Sequence, residues 1–335
     1  MNYAWELAVS AFFISLAGQL ITIRYSKKLN FFIDNHTEEK PQRFHHNATP
    51  RAGGIGILLG MFVILFTPFG WKLLVSMIFA FLSGIFEDLH RSLQPQTRLV
   101  LQIIAAGTAI LLTNSVITYL GLGISLPYLL AIPFSLFSIV GLMNAMNIID
   151  GFNGLASSTT LLILFSLGHT ALLVNDQEIF NIILVVGSAV FAFFIINFPK
   201  GKIFLGDGGA YLVGFVVALI GIFLASNYPE VSPWYILTIL IYPVWEVIFS
   251  IYRKIKAGNS PMQPDAYHLH MLIYRHIAKN NPLTSVVLLV GYSPFILISS
   301  LFAHNSKVNI LVLLVFIACY LLFYRFLYQK EKMTQ

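Results

Sequence analysis

The chain has 335 residues, of which 57% are hydrophobic and 10% charged, and its mean hydropathy is +0.79. A soluble domain carries roughly 25% charged residues, so the composition excludes a water-soluble enzyme and indicates an integral membrane protein, read as one polytopic domain over residues 1–335. The formal net charge of +6 is mostly a matter of membrane topology, as argued next, and nucleic-acid binding has no support.

A spanning helix needs about 20 mainly apolar residues, because lipid offers backbone N–H and C=O groups no partner. Eleven stretches qualify, at about 4–23, 52–68, 71–86, 99–118, 127–143, 155–174, 179–197, 209–227, 233–251, 283–303 and 307–327. The expected fold is therefore all-α and polytopic, with about 11 transmembrane helices. The first stretch is followed by Arg24, Lys27 and Lys28 and preceded by no base, unlike a signal peptide, and reads as a retained helix with its N-terminus outside. Counting onward, 18 of the 20 Lys and Arg residues fall on one side and only Lys72 and Lys307 on the other. Such asymmetry assigns the basic face, and with it the C-terminus, to the cytosol. The cytosolic loops are then about 24–51, 87–98, 144–154, 198–208 and 252–282. The single cysteine, Cys319, lies in the last apolar stretch and reads as a small apolar residue.

The same face receives the unusual polar residues. Glu87 and Asp88 end the third stretch, Asp150 follows the fifth, Asp207 precedes the eighth, and Asp265 lies in the longest late loop. For any single acid an interfacial anchor is an equal reading; several chain-distant segments delivering acids to one surface favour a site. Asp176, Glu178 and Glu230 fall on the opposite face as solvated charges, and Glu246 alone sits clearly inside a span. Asn144 and Asn147 stand three apart, neighbours on one helical face, with Asp150 one step further; a helix–helix contact is the competing reading for Asn144. Gly206, Gly208 and Gly209 flank Asp207, which lets the backbone approach an anion where the eighth helix begins. Carboxylates with an Asn carbonyl suit a hard cation such as Mg²⁺. His268 and His270, with no Cys partner, make a poor zinc site.

The segments TPRAGG (Thr49 to Gly54), FEDLHRSLQPQTRL (Phe86 to Leu99), NAMNIIDGFNGLA (Asn144 to Ala156), GKIFLGDGGAY (Gly201 to Tyr211) and PDAYHLH (Pro264 to His270), in this order, resemble the polyprenyl-phosphate N-acetylhexosamine-1-phosphate transferases, of glycosyltransferase family 4 type. The resemblance covers nearly the whole chain. It implies a Mg²⁺-dependent site at the cytosolic face of a bacterial inner membrane, where undecaprenyl phosphate displaces UMP from a UDP-N-acetylamino sugar. It implies that Glu87 and Asp88 handle the lipid phosphate or its proton, that Asn147 and Asp207 hold the metal, and that Asp150 serves catalysis. The substrate-binding positions it implies are Asn144, Asn147, Asn153, Arg98, Lys202, His268 and His270. Departures from the family pattern are Glu87 for Asp, Asn153 for a second acid, Met271 for a third histidine, and Ala266 for an Arg. The Glu-Asp-Leu form with GFNGLA resembles the branch that initiates O-antigen or other surface polysaccharides. The amino sugar (GlcNAc, GalNAc, FucNAc or QuiNAc), the use of Mn²⁺, and the oligomeric state, with a homodimer among the options, stay open.

The implied chemistry brings two anions to bonding distance. Two like unit charges at about 4 Å repel by roughly 4 kcal/mol at an effective dielectric of 20, about a thousandfold in rate. A cation with Lys202, Arg98 and the histidines would offset that repulsion. Asp88 is the first choice for a base and Glu87 the second, with a covalent aspartyl intermediate as the alternative. Asp34, His45, His46 and Arg51 either close over the lipid head or lie on the surface. The rival classes are a secondary transporter, which would place its acids near the bilayer midplane, and a non-catalytic relative.

Overall fold

The computed structural model describes residues 3–29, 31–33, 49–89, 93–261, 263 and 265–334; Asp34, His36, His45, His46, His90, Arg91 and Pro264 lie outside the described residues. In chain order the elements are α1 (Tyr3–Leu29), α2 (Gly53–Met61) with a 3₁₀ continuation (Phe62–Phe66), α3 (Gly70–Asp88), α4 (Pro95–Thr113) and a two-stranded hairpin, β1 (Tyr119–Gly121) with β2 (Ile124–Ser125). Then come α5 (Tyr128–Ile149), α6 (Leu155–Leu173), α7 (Gln177–Asn197), α8 (Gly206–Asn227), α9 (Pro233–Ile239) and α10 (Ile241–Lys256). The chain ends with α11 (Leu269–Ile273), a π-helical turn (Tyr274–Ala278), α12 (Asn281–Leu301) and α13 (Ser306–Thr334). The fold is an all-α, polytopic membrane bundle.

Nine of the described helices are long and apolar enough to cross a membrane. The two remaining expected spans differ from straight helices. Gly53–Phe66 is a shorter apolar helix, and its 14 residues reach only about 21–24 Å against a hydrocarbon core of about 30 Å. α9 and α10 together replace the expected span at 233–251 and meet at 77°. Pro243 lies one turn after Ile239, and a residue without an N–H cannot continue the ladder from α9; α10 starts afresh at Ile241. The expected stretch at 99–118 also ends early. Asn114 takes up a left-handed conformation at φ 52°, and the β-branched run Val116 to Thr118 leads into the hairpin rather than another helical turn.

α8 stands at the centre. It is buried on every side, with Leu212, Phe215, Leu219 and Leu224 all at or below 1% exposure, as an all-round apolar helix inside a bundle should be. Its first turn is crossed by two neighbours at glycine. A Cβ on Gly84 of α3 would lie 2.4 Å from the Asp207 carbonyl carbon and the Gly208 nitrogen, and one on Gly54 of α2 would lie 2.5 Å from the Gly209 Cα. Backbone therefore meets backbone at both crossings, which only glycine permits. At the opposite end of the bundle, Asp176 caps α7 by accepting the Ile179 N–H (2.9 Å) and also accepts the Tyr228 hydroxyl (2.7 Å).

Gly84→Val should push α3 off α8 and destabilise the protein by about 1–3 kcal/mol or more. Gly107→Ala in α4, where an added Cβ meets nothing within 4 Å, should leave the melting temperature of the detergent-solubilised protein unchanged or raised.

Candidate functional site

The first-turn residues of α8 are held by three chain-distant segments. The strand-like run Pro50 to Gly54 zips against Phe204 and Leu205: the Phe204 N–H donates to the Pro50 carbonyl (2.8 Å), the Gly53 N–H to Phe204 (2.9 Å) and the Gly54 N–H to Leu205 (3.0 Å). Gly206, at φ +75°, then turns the chain into α8, and a Cβ there would lie 2.6 Å from Asp88 Oδ2. Asp88, the last residue of α3, accepts the Asp207 N–H on Oδ1 and the Gly208 N–H on Oδ2, each at 2.9 Å, and is 5% exposed. It is thus a helix cap supplied by a different helix: a carboxylate satisfying two otherwise orphaned donors at the positive end of a helix dipole.

With its backbone fixed in this way, the Asp207 side chain faces two arginines. Arg51 Nη2 donates to Oδ1 at 3.2 Å, and Arg98 Nη1 lies 3.7 Å from Oδ2 and 3.9 Å from Glu87 Oε2. Close charge-assisted pairs run at about 2.7–2.9 Å, so these are loose contacts among partly exposed groups. Glu87 Oε2 is buried and accepts no hydrogen bond. Asp150, which follows α5, belongs to the same electrostatic group. Burial pushes its carboxyl up to about 7, with the Asp207 charge acting in the same direction and Arg51 against it.

The loop after Asp150 is tied to the Asp207 segment by Asn197. Asn197 Oδ1 accepts the Gly154 N–H (2.6 Å) and its Nδ2 donates to the Ile203 carbonyl (2.8 Å). Asn153 also braces this junction, with its N–H on Asn281 Oδ1 (2.8 Å) and its Nδ2 on the Pro199 carbonyl (3.0 Å). Asn147 is half-buried in the last turn of α5, and Lys202 is exposed. Asn144 is placed differently: its Nδ2 donates to Gln102 Oε1 and to the Val140 carbonyl, both at 2.8 Å, which joins α5 to α4. That is the helix–helix contact weighed for it above.

His268 and His270 are buried, with rings stacked 5.2 Å apart. His268 Nδ1 lies 2.9 Å from Glu246 Oε1 and its Nε2 lies 3.8 Å from Asp265 Oδ1; His270 Nδ1 lies 3.3 Å from the Tyr242 hydroxyl. Burial, and then the neighbouring His268, lower His270 to about 3, with Glu246 and Asp265 acting against the shift. His270 is therefore a neutral ring, packed edge-on to Phe152 at 5.7 Å. Asp265 is held in turn by Arg253, at 3.0 Å.

The structure thus gathers Glu87, Asp88, Arg98 and Asp207 at one point and sets Asp150 within their field. Sequence reasoning missed or underweighted three residues: Arg51 pairs with Asp207, Asn197 ties the loop after Asp150 to the Asp207 segment, and Glu246 holds the histidine segment. Glu246 carried a signal, as the lone acid inside a span. Among the described residues no group of three or more His, Cys, Asp or Glu is spaced to hold a metal. Asp207, Asp150 and the Asn147 amide offer oxygen donors only. This is the chemistry of a cation that takes one or two protein ligands and fills the rest of its shell with water and phosphate.

Asp88→Ala should leave the first N–H groups of α8 without an acceptor and cost about 1–2 kcal/mol, read as a lower melting temperature in detergent. Asp88→Asn, which keeps one acceptor, should recover part of that loss.

Residues 70–225 match the family model described as glycosyl transferase family 4. The chain is 28% identical over 323 residues to the undecaprenyl-phosphate alpha-N-acetylglucosaminyl 1-phosphate transferase of Thermotoga maritima, covering 95% of each chain. It is 26% identical over 329 residues to the probable undecaprenyl-phosphate N-acetylglucosaminyl 1-phosphate transferase of Bacillus subtilis, covering 92% of this chain and 88% of the relative. It is also 26% identical over 297 residues to a phospho-N-acetylmuramoyl-pentapeptide-transferase of Streptococcus pneumoniae, covering 82% and 89% respectively. The match to that family model spans α3 to α8, the helices that carry Glu87, Asp88, Arg98, Asp150 and Asp207.

Proposed function

We propose that this protein transfers an N-acetylamino-sugar 1-phosphate from a UDP-sugar to undecaprenyl (polyprenyl) phosphate, releasing UMP and starting a lipid-linked surface glycan. The observation that carries this reading is the pairing of Asp207 with Arg51 and Arg98 (3.2 and 3.7 Å) above a helix end capped by Asp88. The relatives' names describe transfers of this kind. Two loosely held arginines side by side suit phosphates, and their place where α3 ends and α8 begins suits a lipid head whose tail stays in hydrocarbon.

Asp207 and Asn147, with Asp150 nearby, would hold Mg²⁺ or Mn²⁺, which supplies positive charge against the repulsion between lipid phosphate and diphosphate when bound. Arg51 and Arg98 leave their loose carboxylate contacts to take phosphate oxygens. The carboxylate oxygens of Asp88 are each engaged by a backbone N–H, so we assign Asp88 to positioning Asp207. The weak base for the lipid phosphate is then Glu87, whose Oε2 accepts no hydrogen bond. The anomeric C–O bond is untouched, so the sugar keeps its configuration. The basic residues Arg51, Arg98, Lys202 and Arg253 support a cytoplasmic position for this face, with the N-terminus outside. The donor is a UDP-N-acetylhexosamine, and the glycan is a bacterial surface polysaccharide.

Asp207→Ala should lower transfer of label from UDP-[³H]GlcNAc and its N-acetylamino relatives to undecaprenyl phosphate by about 10²–10³-fold or more. Asp176→Ala, at the other end of the bundle, should stay within about twofold of the parent. Equal activities of the two variants would remove Asp207 from the site. Chelation of divalent ions should stop the reaction and added Mg²⁺ should restore it.

A further inference from the structure

α10 carries one acid, Glu246, 1% exposed on the buried face of the bent helix pair. It is fully engaged. Its Oε1 accepts the Leu269 N–H (3.0 Å) and lies 2.9 Å from His268 Nδ1, while its Oε2 accepts the Tyr320 hydroxyl (2.7 Å). A carboxylate in apolar surroundings is expensive unless every lone pair is used, and here three elements, α10, α11 and α13, meet on one side chain. Because the carboxylate can only accept, it fixes the proton of His268 on Nδ1 and the backbone of Leu269 at the start of α11. The stacked partner His270 is then carried against the loop after Asp150. Its ring packs on Phe152, and its Nε2 is the atom nearest to where a Cβ on Gly151 would stand, at 3.7 Å.

We propose that Glu246 is a positioning residue: acting through His268, Leu269 and His270, it holds the 147–154 loop, and with it Asp150, in register with Asp207. On this account the histidine segment works as a brace. The inference rests on the transferase reading for its kinetic consequence, but not for its structural one.

The full chain in lipid nanodiscs, without substrates, tests the structural part by hydrogen–deuterium exchange. Glu246→Leu, which removes the acceptor, should speed exchange about tenfold or more in 147–154 and 265–273 and leave 204–209 unchanged. Glu246→Gln keeps an acceptor oxygen and should stay near the parent. Unchanged exchange in 147–154, or equal acceleration in 204–209, would overturn the brace. In the transfer assay Glu246→Leu should lower kcat by about tenfold or more with the KM for undecaprenyl phosphate held, and Glu246→Gln should restore kcat to within about threefold. An unaltered kcat in Glu246→Leu would overturn the positioning role. Loss of the exchange difference sinks the brace whatever the enzyme does; absence of transfer by the parent protein, with the exchange difference intact, sinks the transferase reading instead.

Discussion

The carboxylate of Asp88 closing on the N–H groups of Asp207 and Gly208 is the contact on which the rest of this site depends. It fixes where α8 begins, and therefore where the Asp207 side chain emerges between Arg51 and Arg98. The contact is possible only because α3 reaches α8 at Gly84 and α2 reaches it at Gly54, where an added Cβ would fall within 2.5 Å of backbone. Glycine is used here for closeness at helix crossings and, at Gly206, for a positive φ. Without these crossings the acid would stop short of the helix end and the N-terminal donors would face an apolar bundle unpaired.

Around this contact the charges are arranged at two levels of firmness. Asp88 and Glu246 are buried and fully bonded, each serving as a fixed point for backbone. Asp207, Glu87, Arg51 and Arg98 are partly exposed and separated by 3.2–3.9 Å, a spacing that allows each to change partners when anionic groups enter. Asp150 lies between these levels: burial raises its carboxyl to about 7. Asn197 and Asn153 link the segment after Asp150 to the one before Asp207 through side chain to backbone bonds. The break between α9 and α10 has its own consequence. α10 leaves the line of α9 by 77°, and the buried face it presents is the one that carries Glu246 to the histidine segment.

Much of this was legible in the sequence, and for physical reasons. Long apolar runs interrupted by Asp, Asn and Gly at one edge could be recognised, because polar residues next to lipid are costly and need a purpose. The spans at α1, α3, α5 to α8, α12 and α13 followed directly from length and hydropathy. What escaped were features whose signal is not local. Nothing near Asp88 in the chain says that its partner is a backbone 119 residues away, so its capping role is not legible there. Arg51 lay in a loop with two open readings, and its pairing with Asp207 needs the Phe204 zipper to bring it there. Glu246 was visible as an intramembrane acid, but its partner at His268 depends on the bend after Leu240. Two local signals were available and underweighted: Pro243 inside an expected span, and the β-branched run before Gly121 and Gly123 that ends α4 early.

In the proposed reaction a phosphosugar, not a bare sugar, crosses to the lipid. The direct measurement is a single-turnover reaction of the full-length protein with undecaprenyl phosphate, Mg²⁺ and UDP-N-acetylhexosamine carrying ³²P at the β-phosphate. The label should appear in the lipid fraction while the released nucleotide is unlabelled UMP. Label recovered in released UDP, with the sugar transferred alone, would contradict the account, as would a purified, folded protein that moves no label under these conditions.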